Sequence, residues 1–511
     1  MARTYLLRIS IAFISIALHA ARSNAADPHQ RPNIVYILCD DLGYGDVHAL
    51  NPQRGKIPTP NIDTLASQGM VFTDAHGGSS VCTPTRYGIL TGRYSWRTKL
   101  QASVLSGTSE PLIAPGRLTV ASLLKENGYS TACIGKWHLG LSFNSKTFTG
   151  PITDGPLQHG FDSYFGISAS LDMPPFAYIE NDHFTEPVTA IKKWVRQGPA
   201  GETFEAVDVL PMLVKKSSEL ISAKAAEAKA GKPFLLYLAL TSPHTPLVPT
   251  TEWKGKSGLG DYGDFVMETD WAAGEVLKAI DAAGIADNTL VLFTSDNGCA
   301  PYIGVKKLEA QGHFPSAQFR GYKADIWDGG HRIPFIARWP GRVKAGSHSD
   351  QLICLTDLMA TAAQSLGKTL PDNAGEDSVS ILPALLGQDT APLREAVVHH
   401  SINGMFAIRQ GNWKLELCPG SGGWAAPHDD AARKQGLPAV QLYDMTKDVG
   451  EQNNVESTNA EEISRLTKLL EKYVADGRST PGAAQKNDAA IDLWKKGEVG
   501  KKRPVIDPVG N

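Results

Sequence analysis

The sequence has little cysteine and none of it is paired by spacing. Six cysteines, Cys39, Cys82, Cys133, Cys299, Cys354 and Cys418, are scattered over 511 residues. No C-x-x-C pair occurs, which excludes a zinc knuckle or a thioredoxin-type redox motif. Six in this length are also too few for a disulfide scaffold. An excess of positive charge is missing as well. The chain carries 50 Lys+Arg against 53 Asp+Glu, a formal net charge of -3, so nothing argues for a nucleic-acid partner. After the N-terminus no stretch has the length and apolarity of a transmembrane helix, so no stable membrane span is expected. No internal repeat is visible.

What is there begins with a secretory pattern. Arg3 and Arg8 give a basic start, residues 9–18 an apolar run, and Ser23-Asn24-Ala25 small residues for cleavage. Removing 1–25 takes away Arg3, Arg8 and Arg22 and no acid, so the mature net charge becomes -6. The expected location is secreted or periplasmic. The composition, 42% hydrophobic and 20% charged, is that of an ordinary globular protein.

Residues 33–39 form an apolar run that ends in Asp40-Asp41, as a buried parallel strand does. The same pattern recurs at 129–134, followed by Gly-Lys136-Trp-His138-Leu-Gly; at 233–240, followed by Ser242-Pro243-His244; and at 290–294, followed by Ser295-Asp296-Asn297-Gly298. Open α/β sheets bind their ligands at the carboxyl ends of strands. Helices are expected at 60–65 with Thr59 as N-cap, at 120–127 with Gly128 as the stop, at 207–230 and at 265–283. Strands alternating with helices imply a large, mostly parallel sheet sandwiched by helices. Residues 141–205 read as loops covering one face. From about 390 the texture changes to short strand-like pieces at 396–400, 405–409, 413–417 and 440–443, then an amphipathic helix at 463–474. The expected organisation is a signal segment 1–25, a catalytic domain 26–389, a C-terminal subdomain 390–480 with a small antiparallel sheet and helix, and a polar tail 481–511.

One stretch stands apart: Val81-Cys82-Thr83-Pro84-Thr85-Arg86, continuing to Leu90-Thr91-Gly92-Arg93. Proline is tolerated in a first helical turn, so Cys82 is expected at a helix N-terminus. Free N–H groups favour negative charge there, and Arg86, one turn on, faces the same way. Cys82-x-Pro84-x-Arg86 with Leu90-Thr91-Gly92-Arg93 resembles the signature of the formylglycine (type I) sulfatases, relatives of alkaline phosphatase. Gly-Lys-Trp-His-Leu-Gly, Ser-Pro-His and Arg320-Gly-Tyr-Lys323 resemble further motifs of that family, in its order, and the resemblance covers most of the mature chain.

The resemblance implies an alkaline phosphatase-like fold and a sulfuric ester hydrolase. It implies that an enzyme of the host matures Cys82 to formylglycine, whose hydrate is the nucleophile. It places one metal ion on Asp40, Asp41, residue 82, Asp296 and Asn297. These are hard oxygen donors, which suit Ca²⁺, with Mg²⁺ the alternative. It makes Arg86, Lys136, His138, His244 and Lys323 active-site residues. Arg86 and Lys136 would hold the aldehyde hydrate, His138 would act as base and His244 as general acid, and Lys136, His244 and Lys323 would bind the sulfate. A sulfate monoester repels an attacking anion, and fixed cations offset that repulsion.

His313, in the loop before Lys323, is a further candidate for substrate contact, whereas His159 reads as structural. Trp253, Tyr302 and Trp327 are candidates to stack on a sugar. The expected substrate is a sulfated saccharide of galactose or hexosamine type, including 6-O-sulfates. Two alternatives stay open at this point: a phosphodiesterase or phosphonate monoester hydrolase of the same superfamily, and a non-catalytic glycan-binding protein.

Overall fold

The computed structural model describes residues 31–144, 147–388 and 391–495. The signal segment, the 389–390 boundary and the end of the tail lie outside the described residues.

The main sheet has ten strands. In chain order they are β1 (Asn33–Cys39), β2 (Met70–Phe72), β3 (Ser130–Lys136), β4 (Ser163–Ile167), β5 (Ile179–Glu180), β6 (His183–Phe184), β7 (Phe234–Ala239), β8 (Thr289–Ser295), β9 (Phe335–Arg338) and β10 (Ser347–Ser349). They lie in the order β10-β2-β9-β8-β1-β7-β3-β4-β5-β6. The central run β8-β1-β7-β3-β4 is parallel. The sheet turns antiparallel at β9 on one side and at β5 and β6 on the other.

The centre is apolar on both faces because both are covered. Side chains alternate across a strand, so Ile34, Tyr36 and Leu38 enter one core while Val35, Ile37 and Cys39 enter the other. Helices α1 (Pro60–Gln68), α4 (Val209–Lys229) and α5 (Gly260–Ala282) close the second core, and α2 (Cys82–Thr91) and α3 (Val120–Glu126) close the first. Register fixes where the strands stop. Leu38 lies opposite Ala239, Cys39 opposite Ser295, and Ala239 opposite Gly135. The segments that follow β1, β3, β7 and β8 therefore emerge side by side.

Three local expectations change. Residues 141–205 are not all loop: they supply β4 to β6 and an antiparallel hairpin of Ala190–Trp194 with Arg196–Ala200. These pieces are only two to five residues long, too short to show a period. Thr59 is the N-cap residue of α1, its carbonyl accepting from the Asp63 N–H at 2.8 Å, but its hydroxyl does not cap the first turn; it donates to Asp63 Oδ1 and accepts from the His48 N–H. Helix α5 starts at Gly260, not 265.

The C-terminal part is a four-stranded antiparallel sheet of Val397–His400, Phe406–Gln410, Trp413–Glu416 and Gln441–Asp444. Helix α6 (Ala460–Ala475) packs Leu466, Leu470 and Tyr473 into that sheet's core. The tail then returns to the part of the chain built on the ten-stranded sheet. Arg93 Nη1 and Nη2 donate to Asp488 at 3.1 Å, and Arg97 Nη1 donates to Asn487 Oδ1 at 3.0 Å. All six cysteines are buried and free. Among the described residues, no helix is long and apolar enough to cross a membrane.

Candidate active site

Cys82 is the first residue of α2 and is 2% exposed. Pro84 sits in the first turn, where its missing N–H costs nothing. One turn later Arg86 is fully buried. Its Nε and Nη2 donate to Asp296 Oδ2 at 2.9 and 2.7 Å, and Nη1 donates to the Lys136 carbonyl at 3.3 Å. Thus α2 is tied to the ends of β8 and β3.

The strand ends supply the rest. Lys136 Nζ donates to both Asp40 oxygens, at 2.9 and 2.8 Å. Lys323 Nζ lies 2.7 and 2.8 Å from the two Asp41 oxygens. Asn297 Nδ2 donates to Asp41 Oδ1 at 2.7 Å. Asp41 and His138 have φ of 65° and 58°, a left-handed turn that ends each strand abruptly at the site. Gly135, just before Lys136, tolerates no side chain, since a Cβ there would sit 1.9 Å from the Ala239 carbonyl oxygen.

Electrostatics follow from this packing. Burial pushes the Asp40 carboxyl up, but Lys136, His244 and Arg86 together hold it far below the usual range. Burial pushes the Cys82 thiol up against the pull of Lys136 and Lys323. An unmodified Cys82 is therefore a protonated thiol and a poor nucleophile. Burial, with Lys136 adding to it, drives His138 well below its ordinary value. His138 is neutral, its Nε2 within 2.7 Å of the Leu105 carbonyl and its Nδ1 without a partner. Lys323 is raised by Asp41 despite burial, which alone would lower it.

The donor set fits a hard cation. One ligand atom each of Asp40, Cys82 and Asp296 lies within 4.8 Å of the others, and the same holds for Asp40, Asp41 and His244. Asn297 Oδ1 is buried with no hydrogen-bond partner. An orphaned oxygen among carboxylates is costly unless a cation takes it.

Above this floor opens a cavity of about 450 Å³, lined by Cys82, His244, Lys323, Asp172, Arg196 and Tyr302 among others. His244 Nδ1 is 2.6 Å from the Thr245 carbonyl, and Nε2 is 3.6 Å from Asp41 Oδ2. The fold thus brings together Asp40, Asp41, Cys82, Arg86, Lys136, His138, His244, Asp296, Asn297 and Lys323 from six segments.

It does not bring His313. That ring is fully buried, accepting from the Lys56 N–H at 3.0 Å and lying 2.8 Å from Asp46 Oδ1. Both nitrogens are occupied, so His313 is a structural tie rather than a substrate contact. Trp327 is also withdrawn as a sugar platform: it is 1% exposed, covered by Arg320 and hydrogen-bonded to Gln441. Trp253 packs beside Trp271 and Lys256 and does not line the cavity. Tyr302 does line it, next to Trp424. Asp172, Arg196 and Trp424 are cavity residues that sequence reasoning missed. Asp172 lies in the segment beyond the end of β4, five residues past Ile167, as His244 lies beyond β7, so looking past strand ends finds it once β4 is recognised.

Comparison with known proteins agrees with this geometry. The sulfatase family profile matches residues 32–368. An N-acetylgalactosamine-6-O-sulfatase of Bacteroides thetaiotaomicron is 36% identical over 484 residues, covering 86% of this chain and 93% of that protein. Human arylsulfatase A is 33% identical over 476 residues, covering 89% and 90%. A solved structure from work on glycosaminoglycan metabolism by Bacteroides thetaiotaomicron superposes with a TM-score of 0.77 at 33% identity, covering 87% of this chain and 99% of that one. With the family profile spanning the whole strand-end cluster from Asp40 to Lys323, the chain belongs to the sulfatases and is a sulfuric ester hydrolase.

Proposed function

We propose that this sulfatase is a secreted, metal-dependent enzyme that removes sulfate from a carbohydrate through a formylglycine at position 82. The observation that carries the reading is the convergence of Cys82, His244 and Lys323 on one cavity over an oxygen-rich floor. Asp40, Asp41, Asp296 and Asn297, with residue 82, would hold the cation, Ca²⁺ by donor chemistry with Mg²⁺ the alternative. When bound, such a cation would polarise the sulfate, and the aldehyde hydrate at position 82 would supply the attacking hydroxyl. The chain's own side chains do the rest. Arg86 and Lys136 fix residue 82 and the acids around it. Lys323 and His244 bind the sulfate oxygens. His244 donates a proton to the leaving alcohol, and neutral His138 accepts one at its free Nδ1. Substrate class follows from the 36% identical relative, whose name supports a 6-O-sulfated hexosamine.

The test is sulfate release from defined sulfated monosaccharides beside an aryl sulfate and an aryl phosphodiester. Turnover of the sulfated sugars is expected; preference for the phosphodiester would favour the sister activity instead. The mass of the peptide spanning residue 82 checks the aldehyde. Chelation should abolish turnover, and Ca²⁺ or Mg²⁺ should restore it; full activity after chelation would remove the metal from the reading. N-terminal sequencing of the exported protein checks cleavage after Ala25.

A further inference from the structure

The mechanism above leaves one built feature of the cavity unused. Asp172 follows β4, is 2% exposed and lines the cavity beside His244. Arg196 Nη1 donates to Asp172 Oδ2. The other carboxylate oxygen, Oδ1, is buried with no hydrogen-bond partner and lies 4.0 Å from His244 Nδ1. That nitrogen already pairs with the Thr245 carbonyl, so it does not serve Asp172.

The pair is held rigidly. Arg196 opens the second strand of the hairpin, directly after the left-handed turn at Val195. The hairpin docks on the chain just beyond Asp172: the Phe176 N–H donates to the Pro199 carbonyl, and the Gly201 N–H donates to the Phe176 carbonyl, both at 2.9 Å. Trp194 wedges between Phe176 and Phe204. A carboxylate fixed by a guanidinium and left with one open oxygen is an acceptor awaiting a donor. Arg196 keeps further N–H groups for oxygens. Tyr302 and Trp424, with rings 5.9 Å apart, add aromatic surface to the same cavity.

We infer that Asp172, braced by Arg196, is the specificity carboxylate: its Oδ1 accepts a hydrogen bond from a hydroxyl of the sugar ring that carries the sulfate. This rests on the carbohydrate reading above. A plain aryl sulfate has no such hydroxyl, so the pair separates sugar recognition from sulfate recognition.

The experiment measures kcat/KM of the matured enzyme on N-acetylgalactosamine 6-O-sulfate, its 3-deoxy and 4-deoxy analogues, and 4-nitrophenyl sulfate. In the wild type, deleting one hydroxyl should cost roughly 10- to 100-fold, the range of a hydrogen bond to a charged acceptor. In Asp172→Ala and Asp172→Asn the same deletion should cost less than about threefold, because the partner is already gone. Both variants should lose far more on the sugar than on the aryl sulfate. Hydroxyl deletions that cost the same in wild type and variants overturn the assignment and leave the sulfatase reading standing. An equal loss on sugar and aryl sulfate also overturns it, since Asp172 would then act through His244 or the fold. Wild-type turnover of the aryl sulfate alone removes the carbohydrate reading and this assignment together, and no turnover of either removes the proposed activity.

Discussion

Two of the buried charge clusters among the described residues use the same kinds of side chain to different ends. One is the strand-end floor of Asp40, Asp41, Asp296, Arg86, Lys136 and Lys323, which opens on the cavity. The other lies where the small antiparallel sheet meets the catalytic body. There Lys414 Nζ sits among Asp328, Glu416 and Glu451, while Asp74 binds His76, Arg332 and Arg409. His76, His331 and His399 stack between them, with His331 and His399 centroids 3.8 Å apart. Its side chains come from the small antiparallel sheet and from turns and short segments of the main body, and they line none of the cavity. Charge clusters by themselves therefore do not mark function. What distinguishes the first is its place at parallel strand ends beneath open space, while the second ties the small sheet to turns and short segments of the main body.

The comparison can be broken at either cluster. The largest effect belongs to the first. Cys82→Ala should lower desulfation by at least about 10⁴-fold, while the melting temperature stays within a few degrees. A parallel collapse in melting temperature would make residue 82 a structural element. The second cluster should behave the opposite way. Lys414→Met leaves three buried carboxylates facing one another and should cost about 3–5 kcal/mol of stability, read by urea unfolding. Activity per folded molecule should stay near wild type.

Acid should also find the second cluster. Burial lowers His76 to about 4 and His331 and His399 well below their ordinary value. The unfolded chain binds these protons first, near pH 6.5, so their stabilisation is complete above that pH. It is lost as pH falls from about 6.5 toward 4, at on the order of 1 kcal/mol per pH unit for each titrating ring. Melting curves over that window check the slope, and His76→Gln should flatten it. The smallest effect sets the baseline: Lys278→Ala breaks only the exposed pair with Glu275 and should cost less than about 0.5 kcal/mol. A cost as large as that of Lys414→Met would mean that buried and exposed pairs contribute alike to stability.

Sequence made the first cluster legible and hid the second, for a physical reason. Asp40, Lys136, His244 and Asp296 each follow a long apolar run, and a run of seven buried residues leaves a pattern that can be read. The chain's other chemistry sits on short pieces. Ser163–Ile167 is five residues, and the hairpin that delivers Arg196 alternates half-buried with exposed residues, so neither announces itself. His76, His331 and His399 lie far apart in the chain and meet only where the small sheet docks on turns of the main body. His313 looks like a loop histidine because its partners, Asp46 and Lys56, are more than two hundred residues away. Trp327 looks like a rim aromatic because its covers, Arg320 and Gln441, come from a neighbouring turn and a distant strand.

The return of the tail to Arg93 and Arg97 joins positions 395 apart in the chain. Those two guanidiniums anchor the exit of the helix that begins with residue 82. A protein shortened before position 486 would retain every side chain of the cavity, and Arg93 and Arg97 would keep Glu376 and Asp377 but lose Asp488, Asn487 and the Lys486 carbonyl. Trimming the polar end would therefore loosen the exit of α2, the helix that begins with residue 82.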